Sequence, residues 1–282
     1  MFGPTQEPQA AADKHGATCV TILKEFGAFS LEMADDGIAI VTFSRPPVNA
    51  VSLSVYQDIG RFADFVAEED RIRVIIITAP DDSRAWCGGA DLHEFKGMTA
   101  EKRKERYQII NQLLPRFHDI DRPMIAAIKG ATVGVGVMLA GMCDLRVVSE
   151  DARFSCPEVD YGLIGGSAGM FATLRMPEAK VREMLYTGRA FSARELEATG
   201  FFNYVVPSAA VLPIALDMAR QIALKSMPTL RARKLASLTW EGSEWMDAYL
   251  EAQEISSALV EHPESGAAVI AALERGRKRS RK

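Results

Sequence analysis

The chain has no apolar run long enough to cross a bilayer, and so no segment that reads as a membrane span. It has no basic excess either: 33 lysines and arginines stand against 37 aspartates and glutamates, for a formal net charge of -4 and an isoelectric point near 5.7. Such a surface has no general attraction for nucleic acid or for an anionic membrane. Cysteine is scarce. The four present, Cys19, Cys87, Cys143 and Cys156, have no metal-ligand spacing and join no histidine cluster, so no metal is expected. With no secretory signal ahead of them, they read as reduced thiols of a cytoplasmic protein. The opening "MFGPTQEPQAAADKHG" carries acids and lacks arginine, which sets it apart from a transit peptide, and residues 1–27 read as a mobile arm. Phosphate-binding signatures are missing too. No Gly-Lys-Ser/Thr follows a glycine run, and the one Gly-x-Gly lacks the third glycine of a dinucleotide fingerprint.

What is present is ample material for a core. The chain has 282 residues, 48% of them hydrophobic, enough for one large α/β domain with an appendage. "AFSLEMADDGIAIVTFSRP" predicts a hairpin turning at Asp36-Gly37. From Ser54 the period becomes helical, with Val55, Ile59, Phe62 and Phe65 on one face. "VIIIT" (Val74 to Thr78) and "MIAAI" (Met124 to Ile128) are uninterrupted apolar strands, which need cover on both faces. A charged helix is expected over Ala100 to His118. "LRVVS", "ARFSC" and "FNYVV" predict short strands, and "SAREL", "LDMARQIALKS" and "SEWMDAYLEAQEISSALV" have helical spacing. The α/β core therefore spans roughly 28–206, and 207–282 is a helical region ending in the solvated basic tail "ERGRKRSRK".

Three short stretches carry chemistry. "KGATVGVGVMLAGMCD" sets Gly130, Gly134 and Gly136 between a buried strand and an apolar helix. Such a turn either packs backbone closely or presents N–H groups at a helix start, where orphan donors and a partial positive charge stabilise an anion. "WCGGADL" is a second glycine-bearing loop after a buried strand. "CPEVDYGLIGG" holds Glu158 between Pro157 and Val159, as a structural acid capping a turn or as a proton carrier. Two aimed N–H donors and one acid make up the equipment for enolate chemistry: the donors hold the oxyanion and the acid moves a proton at carbon.

Those stretches, in order with "FSRPPVNAVS" and "MLYTGRAFSARELEATGFFNYVVP", resemble the enoyl-CoA hydratase/isomerase (crotonase) superfamily from about residue 29 onward. The resemblance implies a crotonase-like spiral of ββα units, a C-terminal helical region used in oligomerisation, a homotrimer or hexamer, and a coenzyme A thioester as substrate. No cofactor is implied beyond the CoA the substrate carries. Mapped onto this sequence, the oxyanion donors would be the backbone N–H groups of Ala90 and Val135. Glu158 would be the catalytic acid. Gly89, Asp91, Leu92, His93, Gly134 and Met138 would line the substrate and CoA path. Asp91 would chiefly fix its loop, and His93 either meets a CoA phosphate or stands exposed at a helix start. Trp86 walls the pocket or fills the core. Asp160 reads as a solvated or salt-bridged acid ahead of a helper to Glu158, Tyr161 as core, and Asp144 as a strand-end anchor. Trp240, Trp245 and Tyr249 suit a subunit interface better than a ligand wall.

Two positions depart from the family's pattern. Val135 replaces the middle glycine. Met138 stands where two-acid hydratases place a second glutamate. A single acid suffices for moving a double bond between the 3,4 and 2,3 positions, which puts Δ3/Δ2 isomerisation ahead of single-glutamate hydration. A non-catalytic acyl-CoA or RNA-binding relative is the alternative from another class; the retained Glu158 and the net charge oppose it.

Overall fold

The computed structural model describes residues 22–34, 36–164, 173–241, 244–259, 261–262, 267–271 and 273–274. Cys19, most of the N-terminal arm, Gly165, Gly166 and the basic tail lie outside these residues, as do the side chains of Trp240 and Trp245.

The strands run β1 Ile22–Phe26, β2 Phe29–Met33, β3 Ile38–Phe43, β4 Val74–Thr78, β5 Ala85–Cys87, β6 Met124–Ile128, β7 Ala131–Val133, β8 Leu145–Ser149, β9 Arg153–Ser155, β10 Phe191–Ser192 and β11 Tyr204–Val206. The larger sheet has the order β1-β2-β3-β4-β6-β8-β11, antiparallel across its first three strands and parallel from β3 onward. The smaller one has the order β10-β9-β7-β5, with β5, β7 and β9 parallel. A strand of the large sheet, a strand of the small sheet and then a helix form one turn of the spiral. The turn occurs as β4, β5 and α2 (Ala100–His118), and again as β6, β7 and α3 (Val135–Met142). Helix α1 (Leu53–Glu68) follows the hairpin of β2 and β3.

The uninterrupted apolar strands divide their residues between two cores. Ile75 and Ile77 of β4, with Met124, Ala126 and Ile128 of β6, enter the main core with Val55, Ile59 and Phe62 of α1. Val74, Ile76, Ile125 and Ala127 face the other way, because side chains alternate along a strand. There they meet Val211, Leu212, Ala215, Leu216 and Ala219. In chain order the later helices are α4 (Glu178–Thr187), α5 (Ala193–Glu197), α6 (Val211–Ala223), α7 (Met227–Glu241) and α8 (Glu244–Leu259).

Two boundaries move. Residues 22–26, expected within the arm, pair with β2 over their full length and so belong to the sheet. Helix α6, expected in the oligomerisation region after residue 206, instead buries its apolar face on the chain's own sheet. The sequence shows an amphipathic helix in either case; which surface receives its apolar stripe is a long-range matter that periodicity does not encode.

Candidate active site

The three adjacent parallel strands of the small sheet, β5, β7 and β9, each end within three residues of a site residue: Ala90, Val135 and Glu158 respectively. One sheet edge thus collects three points far apart in sequence, at the carboxyl ends of parallel strands where α/β sheets commonly open to ligand.

Ala90 is positioned by the stretch "RPPVNAV". Asn49 adopts a positive φ of 54°, which asparagine tolerates better than most residues. Its buried side chain accepts from Arg45 N–H at 2.8 Å and donates to the Ala85 carbonyl at 2.8 Å. Arg45 in turn donates to the Ala50 carbonyl and to Asp91, the latter at 2.7 Å. Val51 N–H then donates to Gly89 O at 2.7 Å, and Asp91 N–H to Val51 O at 2.9 Å. The residues either side of Ala90 are bonded, while Ala90 N–H has no partner among the described residues.

Val135 opens α3. Gly134 N–H donates to Ser155 O at 2.8 Å, and the Gly134 carbonyl accepts from Val137 and Met138. Val135 N–H is left without a partner among the described residues, an orphan donor at the positive end of a helix. Valine is no obstacle, because it lies in helical backbone and not in the left-handed region. Gly136 answers to packing: a Cβ there would stand 2.7 Å from Cys87 Cβ. Burial pushes the Cys87 thiol up to about 12, so it is a packing group and not a nucleophile.

Glu158 lies in the 3-10 turn Pro157–Tyr161. The residue as a whole is half-buried, yet its Oε2 is fully buried and has no hydrogen-bond partner among the described residues. Burial raises its carboxyl from the ordinary value of 4.5 to about 7, outweighing a backbone hydrogen bond that lowers it. Ala90, Val135, Met138 and Glu158 line one pocket, about 570 Å³ of empty space including its opening to solvent.

The sequence pattern of the enoyl-CoA hydratase/isomerase family matches residues 33–268. The chain belongs to that family. It is 30% identical over 203 residues to the 2,3-dehydroadipyl-CoA hydratase of Escherichia coli (strain K12), covering 71% of this chain and 77% of that one. It is 30% identical over 233 residues to the mevalonyl-coenzyme A hydratase of Aspergillus fumigatus, covering 79% and 81%. Among solved structures, an enoyl-CoA hydratase/isomerase from Pseudoalteromonas atlantica T6c superposes with a TM-score of 0.77 at 20% identity, over 88% of this chain and 98% of that chain; this likeness speaks to the crotonase fold. The family acts on acyl-CoA thioesters, and the names of these relatives carry different acyl groups.

In this member of the family, Met138 is 1% exposed and shares the pocket wall with Glu158. Glu158 is the single carboxylate in that wall among the described residues. Gly134 borders the pocket through Glu158, whose Oε1 occupies the place a Cβ at Gly134 would take. Gly89, Asp91, Leu92 and His93 do not enter the wall; they build the loop behind it. Asp91 accepts from Arg45 and from both His93 N–H and His93 Nδ1. Burial alone would raise the Asp91 carboxyl, but these hydrogen bonds outweigh it and the net shift is downward. His93 is exposed. Trp86 fills the core, and Asp144 anchors β6 by accepting from Met124 N–H at 2.8 Å and from Lys234 Nζ.

Tyr249, expected at a subunit interface, is 4% exposed and lines the pocket. Its helix, α8, packs on α2 in the same chain, a pairing over long sequence distance with no local signal. Sequence reasoning also passed over Tyr56, Phe95, Arg103, Arg106 and Tyr107 in the wall. Arg106 pairs with Glu94 at 2.6 Å, and Glu94 also accepts from Leu53 N–H at the start of α1. Burial holds the Tyr56 and Tyr249 phenols well above their ordinary range, so both are neutral.

Proposed function

We propose that this chain moves a proton at carbon in an enoyl-CoA thioester, with the N–H groups of Ala90 and Val135 holding the enolate oxygen and Glu158 as the one proton carrier. The reading rests on a single observation: a buried carboxyl with an unpartnered oxygen shares a pocket with two unpartnered N–H groups, and no second acid stands in the described wall. Glu158 in its ionised form takes a proton from C2 of a 3-enoyl thioester. The C–H electron pair passes into the thioester carbonyl, and the dienolate oxygen gains charge against the two donors. Protonated Glu158 then returns its proton at C4, which leaves the 2-enoyl isomer. A carboxyl near 7 suits both halves of this exchange at neutral pH. Buried Met138 favours isomerisation over hydration, because a thioether holds a water weakly compared with a second carboxylate.

The relatives named as hydratases support a second reading, in which Glu158 takes a proton from water as the oxygen attacks C3 and then returns it to C2. The deciding experiment supplies 2-enoyl and 3-enoyl thioesters of matched length and reads both double-bond position and added water. Isomerisation faster than hydration is expected. Glu158→Gln should lower turnover by about two to four powers of ten with acyl-CoA binding little changed. Near-normal turnover in a folded Glu158→Gln protein would remove Glu158 from the chemistry.

A further inference from the structure

Arg103 projects from α2 into the pocket wall and is 2% exposed. Its guanidinium lies over the rings of Phe95 and Tyr107, 5.0 and 5.3 Å from their centroids. Nη2 donates to Tyr107 Oη at 3.0 Å and to Ser256 Oγ of α8 at 2.8 Å. Nε and Nη1 are buried and have no partner among the described residues. Its neighbour one turn along, Arg106, shows how this site satisfies a structural arginine: a carboxylate 2.6 Å away. Arg103 has no carboxylate partner among the described residues. A buried cation without a counter-charge is costly, and neither ring stacking nor a hydroxyl replaces one. Glu158 does not serve: its Oε2 and the Nε and Nη1 of Arg103 are all buried, and none of them has a hydrogen-bond partner among the described residues. The acid and the cation therefore stand at separate places in one pocket.

We propose that the missing counter-charge is part of the substrate: the acyl chain carries a carboxylate remote from the thioester, and Arg103 receives it. This rests on reading the pocket as the acyl-CoA site. Ile110, Leu163, Met138 and Phe95 give the same wall an apolar stretch that suits the methylenes between the two ends. Tyr107 Oη and Ser256 Oγ, bonded to each other at 3.0 Å, hold the guanidinium in place and leave its other nitrogens for the ligand. The substrate class that follows is the mono-CoA thioester of an unsaturated dicarboxylic acid.

Binding is measured first, with saturated thioesters that cannot react. Titration calorimetry of the full chain compares mono-CoA thioesters of short and medium dicarboxylic acids with methyl-ended acyl-CoAs of equal length. At the best-fitting length the carboxylate-ended ligand should bind about ten to a hundred times more tightly, the worth of a charge-assisted hydrogen bond. Arg103→Met should abolish that ratio, and Arg103→Lys should keep part of it. Equal or tighter binding of the methyl-ended series overturns the proposal, as does a ratio that survives Arg103→Met. If Arg103→Met does not fold, the wild-type ratio and its change in Arg103→Lys decide. Turnover of the matching 2-enoyl and 3-enoyl thioesters separates this inference from the chemistry. A carboxylate preference in binding with no turnover of either series sinks the proton-transfer reading alone. Turnover that favours the methyl-ended series sinks the Arg103 assignment alone.

Discussion

Gly134 and Glu158 constrain each other. The glycine has a φ of 53°, a conformation that strains any side chain, and the space beside its Cα is filled by the Glu158 carboxyl. This packing desolvates Glu158, and desolvation is what lifts the carboxyl to about 7. The consequence for stability has a definite sign. The folded-state value lies above the unfolded value near 4.5, so the folded chain keeps a proton that the unfolded chain releases. The resulting stability is fully present below about pH 4.5 and is lost as pH rises to about 7. Glutamine carries no such proton. Glu158→Gln should therefore match the wild type at low pH and exceed it above pH 7, by about 3 kcal/mol at most. Thermal melts of both proteins at pH 5 and pH 8 read the difference; equal offsets at the two pH values would mean the carboxyl is not desolvated. Activity should run the opposite way and rise through the same pH range, because the first step needs the ionised acid.

Helices α2 and α8 meet along a polar seam. Arg103, Tyr107 and Asn111 fall on one stripe of α2 at four-residue spacing, opposite Gln253 and Ser256 of α8. Asn111 and Gln253 exchange two amide hydrogen bonds, at 2.8 and 2.7 Å, and Gln253 is buried. Such a pair fixes register: a slip strands both amides. Asn111→Leu or Gln253→Leu alone should cost about 1–3 kcal/mol by leaving the partner unpaired, and the double change should cost less than the sum. A denaturant double-mutant cycle checks this, and simple additivity would contradict it. The seam also shows what the sequence hides. The limits of α2, Ala100 and His118, match the charged helix expected there, and Thr99 caps its start by accepting from Lys102 N–H. The sequence shows only a charged helix, yet Arg103 and Arg106 are buried, and the hydroxyl and amide partners on α8 lie 142 to 153 residues away. The glycine turns before Ala90 and Val135 were legible for the opposite reason, since strand, turn and helix start are all local. The side chains of the acyl wall are set by tertiary pairing, and no spacing announces them.

At the scale of the molecule, the surface left over after α6 has covered the sheet still carries apolar residues. Leu235 of α7 and Leu250 and Ile255 of α8 are exposed. We propose, from the family resemblance, that copies of this chain meet on this helical region. Light scattering at micromolar concentration should give three or six times 30.9 kDa; a sharp monomer mass would contradict the assembly. The division of labour across the fold has a further consequence. Glu158 and the two N–H groups without a partner among the described residues follow the ends of β5, β7 and β9, whereas Arg103, Tyr107 and Tyr249 belong to α2 and α8. The two groups share a cavity but almost no scaffold. The proposed roles imply that replacing one helix pair would re-address the catalyst to another cargo and leave its reaction untouched, with the acyl group the trait freest to drift and the proton path the heirloom.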